Sequence, residues 1–180
     1  FTVNIRNADT PLTSLWKLDL SDSSPSASKP ASHKTSRLTE DSSYSIGGFT
    51  ISDDGRWIGF SGGSPKRYER NITQANLYGD LYLLDTQSGS VERLTKNFEV
   101  SEGVPQFSPD SKWVTFTAPE NLERYSMTNG RVYVRGTTDK GQPFKKLGGP
   151  FDGDVSVGFW SKDLSTIYFN EGWRATNQLF

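Results

Sequence analysis

Short apolar stretches of strand character, each closed by a turn signal, recur along this chain at a nearly constant step. ISDDGRWIGF (51–60), FSPDSKWVTF (107–116) and WSKDLSTIYF (160–169) align without gaps. Each begins with an aromatic or aliphatic residue and then Ser, carries Asp in the fourth place and ends in Phe. A second landmark keeps the same spacing: SRLT (36–39), ERLT (92–95) and KKLG (145–148) bring Leu38, Leu94 and Leu147 into register. From Phe60 to Phe116, and from Leu38 to Leu94, is 56 residues; from Phe116 to Phe169, and from Leu94 to Leu147, is 53.

Each repeat reads as four strands. In the best-defined one, the first strand ends at Ile51 after YSIGGFT. SDDG supplies a tight turn, since Asp and Gly suit turn dihedrals. RWIGF is the second strand, DLYLLD (80–85) the third and VERLT (91–95) the fourth, with TQSGS (86–90) as a hairpin turn. The next repeat gives VPQF, KWVTF, RVYVR and FKKLG, with TTDKGQP as the corresponding turn. Four antiparallel strands every fifty-odd residues, with little helical periodicity, predict an all-β fold of β-propeller blades; a β-sandwich lacks such a period. The expected division is 1–39 for the end of a first blade, 40–95 for a second, 96–148 for a third and 149–180 for the start of a fourth. A closed propeller takes at least about four blades, so these three blade-equivalents are expected to be a segment of a six- to eight-bladed wheel. The opening FTVNI fits the end of a second strand, and NQLF (177–180) the start of a third.

Composition narrows the function classes. The formal net charge is -1 and there is no cysteine. Binding to nucleic acid calls for a basic stripe that is absent, and neither a disulfide framework nor a thiolate metal site can form. Aromatic residues make up 13% of the chain, which favours strands. No apolar run approaches the roughly 18 residues of a membrane span, and no stretch reads as a secretory signal. SDSSPSASKPASHKTS (21–36), which holds His33, is expected to be a flexible loop, because Ser, Pro, Ala and Lys bury too little apolar surface to offset ordering. Asp53, Asp54, Asp110 and FDGD (151–154) read as turn formers ahead of metal ligands. Trp57 and Trp113, at matching positions, are expected to pack between blades. NIT (71–73) fits a glycosylation sequon.

FSPDSKWVTF, with RLT closing the preceding blade, resembles the PD40 or TolB-type blade motif. NLYGDLYLLDTQSGSVERLTKNFEVSEG (76–103), DGDVSVGFWSKD (152–163) and IYFNEGWRATNQLF (167–180) are similar to bacterial serine peptidases of the prolyl-oligopeptidase (S9) family, of the acylaminoacyl- and dipeptidyl-peptidase type. The resemblance covers essentially the whole chain. It implies a non-catalytic propeller segment that caps and gates an α/β-hydrolase domain, which carries the Ser-Asp-His triad and acts on short peptides without a cofactor. A stand-alone TolB-like propeller that binds a protein or ligand is the alternative. The compartment stays open, with periplasmic or secreted favoured over cytoplasmic. An open segment is also expected to self-associate through its unpaired edges.

GFSGG (59–63) matches the G-x-S-x-G nucleophile elbow. In α/β-hydrolases the acid and then the base follow the serine, yet the single histidine, His33, precedes Ser61. The repeat alignment sets Ser61 level with Thr117, at the end of a blade's second strand. Without a base its hydroxyl is a weak nucleophile, so no catalytic residue is expected in this chain.

Alternating strand directions put the short first-to-second and third-to-fourth turns on one face of the wheel. The long second-to-third loops, 61–79, 117–130 and about 170–177, fall on the other with the blade-to-blade connections. Function rides on long loops held by a rigid scaffold. The candidates for facing substrate or the hydrolase domain are Arg67, Tyr68, Glu69, Arg70, Arg124, Tyr125, Glu171, Trp173 and Arg174, with Glu120 and Glu123 beside them. Arg and Tyr suit peptide carboxylates and carbonyls, and Glu suits a free amino terminus. Glu99 and Glu102 in NFEVSEG share that face.

Overall fold

β1 (Trp16–Leu18) pairs antiparallel with β2 (Thr35–Arg37) as a two-stranded sheet. β3 (Ser45–Ile51), β4 (Trp57–Gly63), β5 (Asp80–Asp85) and β6 (Val91–Arg93) follow as a four-stranded antiparallel meander. β7 (Gln106–Phe107), β8 (Trp113–Pro119), β9 (Gly130–Gly136) and β10 (Lys145–Leu147) make a second, and β11 (Asp154–Trp160), β12 (Ile167–Trp173) and β13 (Thr176–Leu179) a three-stranded third. This computed structural model describes residues 12–20, 34–40, 43–63, 79–95, 102–121, 128–149, 151–173 and 176–179. Among them there is no helix, and none long and apolar enough to cross a membrane. The sheets are propeller blades in sequence order, called blades 1 to 4 below.

The blades stack through apolar faces. Leu15 from blade 1 joins Tyr44, Ile46, Ile58, Phe60, Tyr82 and Leu84 of blade 2 in one cluster. Leu81 of blade 2 joins Phe116, Ala118 and Tyr133 of blade 3 in another. β5 is therefore sandwiched: Tyr82 and Leu84 face blade 1 while Leu81 faces blade 3, and all six of its residues are buried. A strand covered on both sides needs no polar face, which is why DLYLLD runs apolar instead of alternating. The repeat is kept in the packing. Phe60 stacks on its in-register neighbour Tyr82 at 5.2 Å between ring centroids, and Phe116 on Tyr133 at 5.3 Å.

The recurrent Ser and Asp of the aligned motifs act as a staple. Ser52 donates to the Asp54 carboxylate (2.6 Å) and accepts from the Trp57 amide (2.9 Å), while Asp54 accepts from the Arg56 amide (3.0 Å). Ser108, Asp110, Lys112 and Trp113 repeat this at 2.6, 3.2 and 3.0 Å. Ser161 accepts from Thr166, and Asp163 from Ser165. These hydrogen bonds stabilise the charged carboxylate: Ser52 first holds Asp54 below the ordinary aspartate value, Ser108 does so for Asp110, and Ser161 for Asp163. A carboxyl whose folded value is lowered contributes stability that is complete above its unfolded value and is lost as pH falls through the folded one. The urea midpoint is thus expected to hold between neutral pH and about 5, then drop below about pH 4. The triple Asp54→Asn, Asp110→Asn, Asp163→Asn variant should show a shallower drop, and an unchanged drop would remove these groups from the account.

The same turns share a backbone requirement. Gly55, Ser111 and Leu164 hold equivalent places with φ of 70°, 61° and 65°. Ser111 has a compensating contact, since its hydroxyl accepts from the Asp54 amide of the neighbouring blade at 3.2 Å. Leu164, 36% exposed, has strain without that return. Leu164→Gly is expected to stabilise the chain by up to about 1 kcal/mol, read as a higher urea midpoint; a lower midpoint would contradict the strain.

Three expectations need correction. Thr35 and Ser36, assigned to the 21–36 loop, lie in β2, because their backbone pairs in register with Leu18 and Lys17. The long 170–177 loop is instead a hairpin, with β12 and β13 paired from Asn170↔Leu179 to Trp173↔Thr176. Trp57 is 9% exposed against blade 3, but Trp113 is 43% exposed. Trp57 shares a small cavity with Thr137, Thr138 and Lys140 of the β9–β10 turn, and the described part of blade 4 has no counterpart of that turn over Trp113.

Candidate functional site

The short turns do share one face. The Asp54 amide reaches Ser111 across blades, and Thr86 and Thr137 donate to the carbonyls of Gly55 and Ser111. The opposite face carries the ends of the second strands and the starts of the third, Gly63 with Asp80 in blade 2 and Pro119 with Gly130 in blade 3. Of its sequence-predicted residues, Arg67, Tyr68, Glu69, Arg70, Glu99, Glu123, Arg124, Tyr125 and Arg174 lie outside the described residues, as do His33 and Asn71. Trp173 ends β12 opposite Thr176. Glu171 lies within β12 and not on a loop; it is buried, in register with Val155 and Gln178.

What the structure assembles on that face is a polar junction between blades 3 and 4, centred on Arg131. This side chain is only 4% exposed. Its Nη1 donates to the carbonyls of Gly130 (2.8 Å) and Gly153 (2.6 Å), and its Nη2 to that of Phe151 (3.1 Å), while Nη2 is ion-paired with Glu120 Oε2 at 3.2 Å. Glu120 Oε1 also accepts from Lys146 Nζ at 2.9 Å. Lys146 first, and Arg131 next, hold the Glu120 carboxyl below its ordinary value. Tyr133 donates its hydroxyl to the Pro119 carbonyl at 2.9 Å, and burial pushes its phenol up. Asp154, from FDGD, accepts from the Gly130 amide at 2.7 Å, and Glu102 accepts from Thr95 at 2.7 Å.

Arg131 therefore ties down the 151–153 connection while Glu120 offsets its charge. Among the described residues of the junction no nucleophile is paired with a base. The sequence reading missed Arg131 and Arg135. Their signal was available: RVYVR puts a cation at each end of a strand whose counterpart, DLYLLD, has Asp80 and Leu84 there.

GFSGG has a structural explanation. The β3–β4 register slips between Ile46 and Phe49, leaving a bulge at Gly47–Gly48. Ser61 Oγ accepts from the Gly48 amide at 3.0 Å and so holds that bulge. β4 continues through Ser61 to Gly63 instead of ending before it. A Cβ at Gly59 would lie 2.7 Å from Pro105 of blade 3, and one at Gly62 would lie 2.7 Å from the Tyr82 ring. Each glycine admits a neighbour, and among the described residues Ser61 lies within an extended strand and not at a sharp turn. This chain is expected to resist labelling by a fluorophosphonate at Ser61. Ser61→Ala is expected to cost about 1 kcal/mol through the lost bulge contact; covalent labelling of Ser61 would overturn the assignment.

The fold and this face define a β-propeller segment: successive antiparallel blades with a fixed polar junction on one side. No family model matches the chain. Over 141 residues, 74% of this chain, it is 24% identical to "Dipeptidyl-peptidase 5" of Trichophyton tonsurans and 24% identical to "Dipeptidyl-peptidase 5" of Arthroderma otae. The chain covers only 19% of these relatives' length. Among solved structures it is similar to TolB from Acinetobacter baumannii (20% identity, TM-score 0.52, covering 81% of this chain and 31% of that one). It is also similar to a chain from a structural and mechanistic study of two prolyl endopeptidases (16% identity, TM-score 0.55, covering 82% and 22%). Together these likenesses show the propeller fold, with sequence similarity to part of dipeptidyl-peptidase 5.

Proposed function

We propose that this chain is the propeller segment that caps and gates the active site of an S9 serine peptidase acting on short peptides, with the Ser-Asp-His triad on an α/β-hydrolase domain outside these residues. The observation that carries this reading is the 141-residue match to dipeptidyl-peptidase 5, of which the chain covers 19%. The absence of a nucleophile–base pair in the Arg131 junction, and the bulge-holding place of Ser61, are consistent with chemistry elsewhere. In this reading the loops 64–78 and 122–127 face the hydrolase domain and the substrate. Arg67, Arg70 and Arg124 hold peptide carboxylates and carbonyls with Tyr68 and Tyr125, and Glu69 takes up a free amino terminus. Further blades cover the exposed Leu18 of blade 1 and Phe159 of blade 4.

The test is the native polypeptide, captured with an antibody against this chain. The expected product is several times larger than 20.1 kDa, takes up a fluorophosphonate outside these 180 residues, and releases short products from peptides but not from folded proteins. Charge reversal at Arg67 and Arg124 is expected to raise KM for peptides. A polypeptide made of blades alone, with no peptidase activity, overturns the proposal. It would favour the second reading, a stand-alone binding propeller, for which the fold match to TolB speaks.

A further inference from the structure

The rim of the blades carries a cation at one repeated position: Arg37, Arg93 and Lys146, each just before the aligned Leu. In blade 2 the Arg93 guanidinium is ion-paired with Asp80. In blade 3 Lys146 is ion-paired with Glu120 at 2.9 Å. Blade 1 is built on the same frame. The Leu38 amide donates to the Leu15 carbonyl as Leu94 does to Leu81, and the Leu15 amide donates to Thr39 Oγ1 as Leu81 does to Thr95 Oγ1. That frame sets Ser14 where blade 2 has Asp80. Arg37 Nη2 donates to Ser14 Oγ at 2.8 Å, and among the described residues no carboxylate lies within ion-pair distance of Arg37.

Arg37 also lines a groove of about 590 Å³ between the outer strands of blades 1 and 2. Arg93 stands on its other wall, and Leu38, Tyr44, Tyr82 and Val91 supply apolar lining. Val91 and Arg93, two apart on β6, turn one face of that strand to this space. Glu40 is also at the groove and repels a polyacidic segment. A single carboxylate flanked by apolar side chains meets all of these demands.

We propose that this groove docks an extended peptide segment of a partner protein through one acidic side chain with apolar neighbours. The carboxylate takes, beside Arg37, the place that Asp80 takes beside Arg93. A charge-assisted guanidinium–carboxylate contact on an apolar floor gives both orientation and affinity. The groove is lined by outer-strand and connection residues of blades 1 and 2, and its test does not depend on a peptidase reading.

The test is fluorescence anisotropy with a labelled Gly-Gly-Phe-Glu-Phe-Gly peptide and its Gln counterpart, titrated with this chain. The Glu peptide is expected to bind saturably, and the Gln peptide at least about tenfold more weakly. Ser14→Asp installs the blade 2 ion pair, so it is expected to weaken the Glu peptide about tenfold while leaving the unfolding midpoint unchanged or higher. Arg37→Gln should weaken it similarly. No saturable binding, equal affinity for the two peptides, or full affinity in Ser14→Asp overturns the proposal.

Discussion

Glu92→Ala is expected to lower the unfolding free energy by about 3 kcal/mol or more, the largest loss from any single charged residue in the described blades. Glu92 stands on β6 of blade 2, and its carboxylate accepts from Arg135 Nη1 at 3.1 Å and Nη2 at 2.9 Å, and from the Gly141 amide at 2.9 Å. Arg135 stands on β9 of blade 3 with its side chain 4% exposed, and its guanidinium lies 4.7 Å from the Phe144 ring centroid. Removing the carboxylate strands a buried cation, left with the Gln142 carbonyl and a ring face. That penalty exceeds the net worth of the pair, because desolvation of both ions offsets much of their attraction. The double variant Glu92→Met with Arg135→Met should therefore recover most of the loss. Urea unfolding followed by tryptophan fluorescence reads both. A double variant as unstable as Glu92→Ala would mean that the ion pair itself holds blade 2 to blade 3.

Phe60→Ala and Phe116→Ala are each expected to cost about 3 to 5 kcal/mol. Both side chains are fully enclosed, Phe60 against Tyr44 and Tyr82, and Phe116 against Tyr133 and Phe144. The loss combines apolar transfer with a cavity that the stacked rings cannot collapse into. The third copy, Phe169, is only partly buried, with its described ring contact an edge-on approach to Phe151 at 6.4 Å. Phe169→Ala is expected to cost about half as much. Equal losses at all three positions would mean that blade 4 is as well enclosed as blades 2 and 3. The series thus reports how far the apolar stack extends along the repeat.

Legibility in the sequence followed the range of the interaction. The strands DLYLLD and RVYVR, and the turns built on SDDG and SPDS, were readable because a strand's burial and a turn's dihedrals leave local marks. The repeat made them firmer, since Leu38, Leu94 and Leu147 keep step with the Phe series. The repeat extends the length of the preceding loops to 170–177, while the hairpin closed by Trp173↔Thr176 depends on pairing that has no local signature. Glu171 shows the same gap: its sequence neighbours look like a polar loop, yet it lies buried within β12.

By itself the sequence determined that this protein is built of four-stranded blades, which residue of each motif caps each turn, and that GFSGG lacks a following histidine. Only the tertiary structure decided what the charged and polar residues do. Glu92 meets Arg135 across 43 residues, Arg131 captures carbonyls about twenty residues further along, and Ser61 holds a bulge 13 residues back. The physical reason is that apolar periodicity is imposed on every blade by the same burial. An ion pair or a captured carbonyl depends on which two blades touch, and that contact exists only once they have stacked.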